Sequence, residues 1–96
     1  MDYNYKITHI NTKDRWIFIY DDDTSMCDDE DGFVELVKRI QEYTNGKIES
    51  VGYIRYRIIG DRYNLIYQWD TLFGIVVIYS SKENVEHIKK YLEHFF

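Results

Sequence analysis

The chain has 96 residues, of which 45% are hydrophobic, 18% aromatic and 30% charged, with no proline, a single cysteine and a net charge of -5. That is one domain's worth of chain, so residues 1–96 are expected to form a single globular domain, and the aromatic content excludes a disordered tail or a coiled-coil rod. No apolar run reaches the roughly 18 residues that span a bilayer, no signal pattern opens the chain, and Cys27 has no partner for a disulfide, so a soluble, cytoplasmic protein is expected.

Residues 3–10 alternate loosely between polar and apolar, and 11–14 read as a turn. Trp16, Ile17, Phe18, Ile19 and Tyr20 then form a continuous apolar, β-favouring run, the mark of a strand covered on both faces. The two segments make a first hairpin, and because a helix follows, residues 16–20 could also pair in parallel with a central strand.

The next stretch holds the charge. Of the 17 acids in the chain, seven lie within residues 21–31 (Asp21, Asp22, Asp23, Asp28, Asp29, Glu30 and Asp31), with no base among them, leaving 10 acids against 12 bases elsewhere. So many like charges repel one another at a cost, which a basic partner would remove. The last of them also suit the start of a helix, where free N–H groups and the macrodipole favour negative charge. That helix follows: Phe33, Leu36, Val37, Ile40 and Tyr43 recur at helical spacing, Lys38 and Arg39 lie towards its far end, and Asn45 with Gly46 supplies a left-handed cap.

Residues 47–59 switch to period two, with Ile48, Ile54, Tyr56 and Ile58 on one face and Tyr53, Arg55 and Arg57 on the other. Gly60 and Asp61 predict a two-residue hairpin turn, since glycine accepts the positive φ such turns need. The returning strand carries Tyr63, Leu65, Tyr67 and Trp69 on one face, and residues 73–79 form another strand apolar on both sides. Ser80 with Glu83 reads as a capping box for a last helix whose buried stripe is Val85, Ile88, Leu92 and Phe95. The predicted architecture is a two-layer α+β sandwich: a mostly antiparallel five-stranded sheet with two helices on one face, in the order β-β-α-β-β-β-α.

Catalytic apparatus is not evident. Acids surround Cys27, which disfavours its thiolate. His87 and His94 stand about two helical turns apart, too far for a simple ligand pair, and read as surface histidines. A calcium loop aligned on Gly32 places Cys27 at the first ligand position and Lys38 at the twelfth, where a bidentate Glu belongs. No catalytic residue, metal site or cofactor is therefore assigned. Against nucleic acid, residues 51–55 keep only Gly52 and Tyr53 of an RNA-recognition core, and the acidic balance opposes phosphate; Arg55, Arg57 and Arg62 are expected to pair with neighbouring acids across strands.

The compact α+β layout and the acidic segment 21–31 make the chain similar to the small immunity proteins that bacteria encode beside contact-dependent and other polymorphic toxins. The resemblance implies a non-catalytic inhibitor that binds a cognate toxin domain, often a basic nuclease, and blocks its active site. The chemistry agrees, because a dense run of carboxylates imitates phosphates and opposite fields speed encounter. Asp21, Asp22, Asp23, Asp28, Asp29, Glu30 and Asp31 are the candidate partner-binding residues, joined by Trp69 and Asp70 at a strand end. The alternative is a structural or regulatory interaction module that uses an exposed strand edge, with a small-molecule enzyme and a nucleic-acid binder behind it. Exposed strand edges would also permit a homodimer.

Overall fold

The computed structural model describes residues 5–21, 30–60, 62–70 and 74–94. Its strands are β1 (Tyr5–Asn11), β2 (Trp16–Asp21), β3 (Lys47–Gly52), β4 (Arg55–Ile59), β5 (Asn64–Asp70) and β6 (Gly74–Ile78), and its helices are α1 (Glu30–Thr44) and α2 (Val85–Leu92). They form one sheet in the order β1-β2-β6-β5-β4-β3, antiparallel at every pairing. Both helices pack on one face, which gives the expected α+β sandwich. The parallel pairing open to residues 16–20 does not occur; β2 runs antiparallel to both β1 and β6.

The sheet has six strands rather than five because residues 47–59 fold back on themselves. Period-two alternation does not show where a strand stops, and Gly52 with Tyr53 and Ile54 makes the turn: Ile54 takes φ 51° and Gly52 lies opposite Arg55. Tyr53 therefore leaves the strand face it was expected to share with Arg55 and Arg57. It stands at the hairpin tip.

The core lies between the sheet and the helices. Ile17 and Ile19 of β2, Ile75 and Val77 of β6, Leu65 and Tyr67 of β5 and Ile58 of β4 meet Phe33, Leu36, Val37 and Ile40 of α1 and Ile88 and Leu92 of α2. Tyr43 departs from its predicted stripe and is 63% exposed. The half-buried Thr44, one turn beyond Ile40, donates its hydroxyl to the Ile40 carbonyl at 2.9 Å as the helix closes. Lys38 and Arg39 lie mid-helix, and the last turn of α1 carries no base.

The cap of α1 divides its work between two residues. Asn45 takes the left-handed φ of 52°, while the Gly46 N–H reaches the Gln41 carbonyl at 3.1 Å and the Asn45 N–H the Glu42 carbonyl at 3.3 Å, a Schellman arrangement. Gly46 is needed for closeness: a Cβ there would stand 2.8 Å from the Ile59 carbonyl oxygen. Between β4 and β5 the connection is four residues long, not two, because Ile59 pairs with Asn64 and the Gly60 N–H closes on the Tyr63 carbonyl at 3.1 Å. Gly60 does not take the positive φ expected of it; among the described glycines Gly74 does, at 76°. The capping box also moves. Ser80 and Glu83 form a turn, and α2 starts later at Val85, where the Asn84 side chain accepts from the Glu86 and His87 N–H groups. Asparagine caps a helix as well as serine does, and Asn84 is the one that immediately precedes the apolar stripe.

Two stability predictions follow from the cap and the core. Gly46→Ala should cost about 1–3 kcal/mol by forcing the Ile59 strand outward, whereas Asn45→Gly should be near neutral and Asn45→Ala should cost about 1 kcal/mol; urea unfolding midpoints check all three. Burial first, and then the neighbouring Tyr91, push the Tyr67 phenol far above the ordinary tyrosine range. A group raised in this way stabilises the fold fully below its unfolded value and loses that contribution as pH rises, so stability should fall above about pH 10. The fall should be shallower in Tyr67→Phe, read as the unfolding midpoint against pH.

Candidate functional site

Register places three of the sequence-predicted site residues, Asp21, Trp69 and Asp70, at one end of the sheet. Ile19 of β2 and Trp69 of β5 both lie opposite Ile75 of β6, and Asp70 lies opposite Gly74. The outgoing end of β2, which finishes at Asp21, and the outgoing end of β5, which finishes at Asp70, thus flank the first residue of β6. Gly74 fits between them through its φ of 76°, and a Cβ there would stand 3.3 Å from the Ile19 carbonyl oxygen.

The tip of the β3–β4 hairpin joins the same end. The Ile54 carbonyl accepts the Trp69 N–H at 3.2 Å, and the Ile54 side chain is buried although its backbone is left-handed. A β-branched residue in that region costs about 1–2 kcal/mol. Burial of the isoleucine side chain offsets a cost of this size. The result is a fixed tip on which Tyr53 is 84% exposed. The start of α1 lies there too, because the Phe33 ring sits 6.2 Å from that of Tyr56, two residues beyond Ile54, while the other end of α1 meets Ile58 and Ile59 through Gly46.

Of the candidate residues, Asp22, Asp23, Asp28 and Asp29 lie outside the described residues, as does Cys27. Asp21, Glu30 and Asp70 are placed by their backbone at the ends of β2, α1 and β5, and Asp31 is exposed. Trp69 is half-buried and packs against the core, so much of its ring is already used in folding. Among the described residues Tyr53 is an exposed aromatic at this end, and alternation hid it by assigning it to a strand. Gly52 just before it was the one turn signal available.

The face of the sheet away from the helices is the second feature. Two rows cross it by register: Trp16, Ile78, Ile66, Arg57 and Glu49, and then His9, Phe18, Val76, Gln68 and Arg55. The rings of Trp16 and Phe18 meet edge-on at 6.0 Å, and those of His9 and Phe18 lie 5.6 Å apart. The apolar runs of β2 and β6 had predicted cover on both faces. The helices cover only one, and on the other Val76 is 3% exposed while Trp16 is 37% exposed. Arg57 pairs with Glu49 across strands at 2.7 Å, as expected, whereas Arg55 lies opposite Gln68 and its buried Nε has no hydrogen-bond partner.

Among the described residues, no three histidine, cysteine or acidic side chains are grouped to hold a metal ion, and no helix is long and apolar enough to cross a membrane. His87 and His94 are exposed as expected, but they share a cleft with Arg62 and Lys90 that spacing along the helix could not show. No family model, curated protein or solved structure matches the chain. The tightest backbone approach at the acidic end yields a prediction: Gly74→Ala should destabilise the fold by about 1–3 kcal/mol, through the positive φ and the Ile19 carbonyl together, measured by thermal or urea unfolding.

Proposed function

We propose that this chain is a non-catalytic protein-binding inhibitor that works in the cytoplasm and covers a basic partner with the acidic end of its sheet. The partner class that fits is a cationic, nuclease-type toxin domain, with the chain acting as its immunity protein by occluding the active site. The observation that supports this reading is the convergence of Asp21, Asp70, the start of α1 and the exposed Tyr53 at one end of the sheet. Carboxylates steer a basic surface inward, and an exposed aromatic on a rigid turn can supply the anchoring contact that charge alone lacks. Exposed ion pairs are worth only about 0.2–1 kcal/mol each, so the acids would govern encounter rate and selectivity more than residence time.

A second reading has its own support. The open face carries Trp16, Phe18, Ile66 and Ile78 around the buried Val76 and beside Arg55, Arg57 and Glu49, an apolar patch with a charged border that suits an interaction module.

Affinity capture from the source cell's lysate at low and high salt distinguishes them. The variant with Asp21, Asp22, Asp23, Asp28, Asp29, Glu30, Asp31 and Asp70 changed to Asn or Gln should fold normally and lose a basic protein that the native chain retains and salt releases. Tyr53→Ala, at an 84% exposed position, should also keep the fold while weakening capture by about tenfold or more. Undiminished capture by both variants, with loss in Trp16→Arg, would remove the acidic end from the function and transfer it to the open face.

A further inference from the structure

At the end of the sheet opposite Trp69 and Asp70, a cleft of about 260 Å³ is lined by Arg62 and Tyr63 from the β4–β5 connection, by His87, Lys90 and Tyr91 of α2, and by His94 just past its end. We propose that this cleft binds a phosphate monoester. Among the described residues the lining holds two permanent cations and two histidines and no acid, in a chain whose net charge is -5. Cations gathered in this way repel one another, and a doubly charged anion removes that cost.

The fold builds the arrangement from both sides. Asn84 caps α2 and sets its start, and Ile88 and Leu92 lock its buried face into the core. That orientation turns the adjoining stripe of His87, Lys90, Tyr91 and His94 towards the β4–β5 connection. On the other side, the Gly60 N–H bond to the Tyr63 carbonyl holds the turn that carries Arg62. Tyr63 and Tyr91 meet edge-on with ring centroids 4.8 Å apart and give the lining its tyrosine wall.

The donor set suits a terminal phosphate. Arginine offers a planar fork of N–H groups, lysine a compact point charge and imidazole a directed N–H donor, against the three acceptor oxygens of a monoester. A bare phosphate would not use the whole cleft, and the tyrosine wall gives the organic part of an ester a surface to pack on. Glu86 of α2 and Glu93, which caps its end, are not among the lining residues. The site lies away from the acidic end, so it stands independently of the inhibitor reading.

The test is an ¹H–¹⁵N NMR titration of the full chain with phenyl phosphate and with inorganic phosphate, against sodium chloride at matched ionic strength. Saturable shifts should centre on residues 62–63 and 87–94, with phenyl phosphate binding more tightly than inorganic phosphate. The Arg62→Gln, Lys90→Gln double variant should bind at least about tenfold more weakly, while Lys82→Gln, an exposed cation outside the cleft, should bind as the native chain does. Should the double variant fail to fold, Lys90→Gln and His94→Gln singly serve in its place, each with a smaller loss. Co-sedimentation with phosphatidic-acid vesicles, lost in the same variants, would support the site and assign its phosphate to a lipid headgroup; shifts with the soluble ester assign it to a metabolite. Absence of saturable shifts and of vesicle binding, equal shifts with chloride, or unchanged affinity in the cleft variants would overturn the proposal.

Discussion

The insertion of β6 between β2 and β5 is the constraint on which the rest of the molecule depends. The strand is short, yet Ile75 faces both Ile19 and Trp69, and Val77 faces both Ile17 and Tyr67. Without it, β1 and β2 would be one hairpin and β3, β4 and β5 a separate meander, neither with enough apolar surface to hold two helices. Because β6 comes late in sequence, its pairing closes a loop of more than fifty residues onto β2. That closure carries an entropic cost that buried contacts must offset. Ile75 and Val77 are buried almost completely, which is where that offset is supplied.

The same insertion sorts the chemistry into two ends. The strands on either side of β6 finish, at Asp21 and Asp70, at the end of the sheet where β6 begins, and the hairpin tip with Tyr53 is tied in by the Trp69 N–H. Strands that meet it at its last residue put the β4–β5 connection beside α2, so Arg62 joins His87, Lys90 and His94. The strand ends at Asp21 and Asp70 and the cleft at Arg62 thus lie at opposite ends of the sheet.

Between these ends, the face away from the helices shows how a small domain manages apolar surface. Val76 reaches near-complete burial with no helix over it, flanked by Phe18 on one side and Gln68 on the other. Large side chains on neighbouring strands shelter one another in this way, so an apolar run covered on both faces need not imply a second layer of helices. The gradient from Trp16 and Phe18 to Arg57 and Glu49 leaves the patch asymmetric.

Local patterns in the sequence were enough to determine the α+β class, α1 from Phe33 to Ile40, the apolar strands around Ile17 and Val77, and the concentration of acids in residues 21–31. Each rests on a period or a composition that the chain carries within a few neighbours. Turn positions were harder, because competing signals of similar strength sit side by side: Asn84 rather than Ser80 caps α2, Asn45 rather than Gly46 takes the left-handed φ, and Ile54 turns where alternation continued. Only the tertiary structure decided that the ends of β2 and β5, at Asp21 and Asp70, come to the same end of the sheet, that Tyr53 is exposed at a hairpin tip, and that Arg62 faces a helix more than twenty residues away. Those are consequences of strand order, and strand order is set by which apolar faces bury one another best across the whole chain, a comparison that no local window contains.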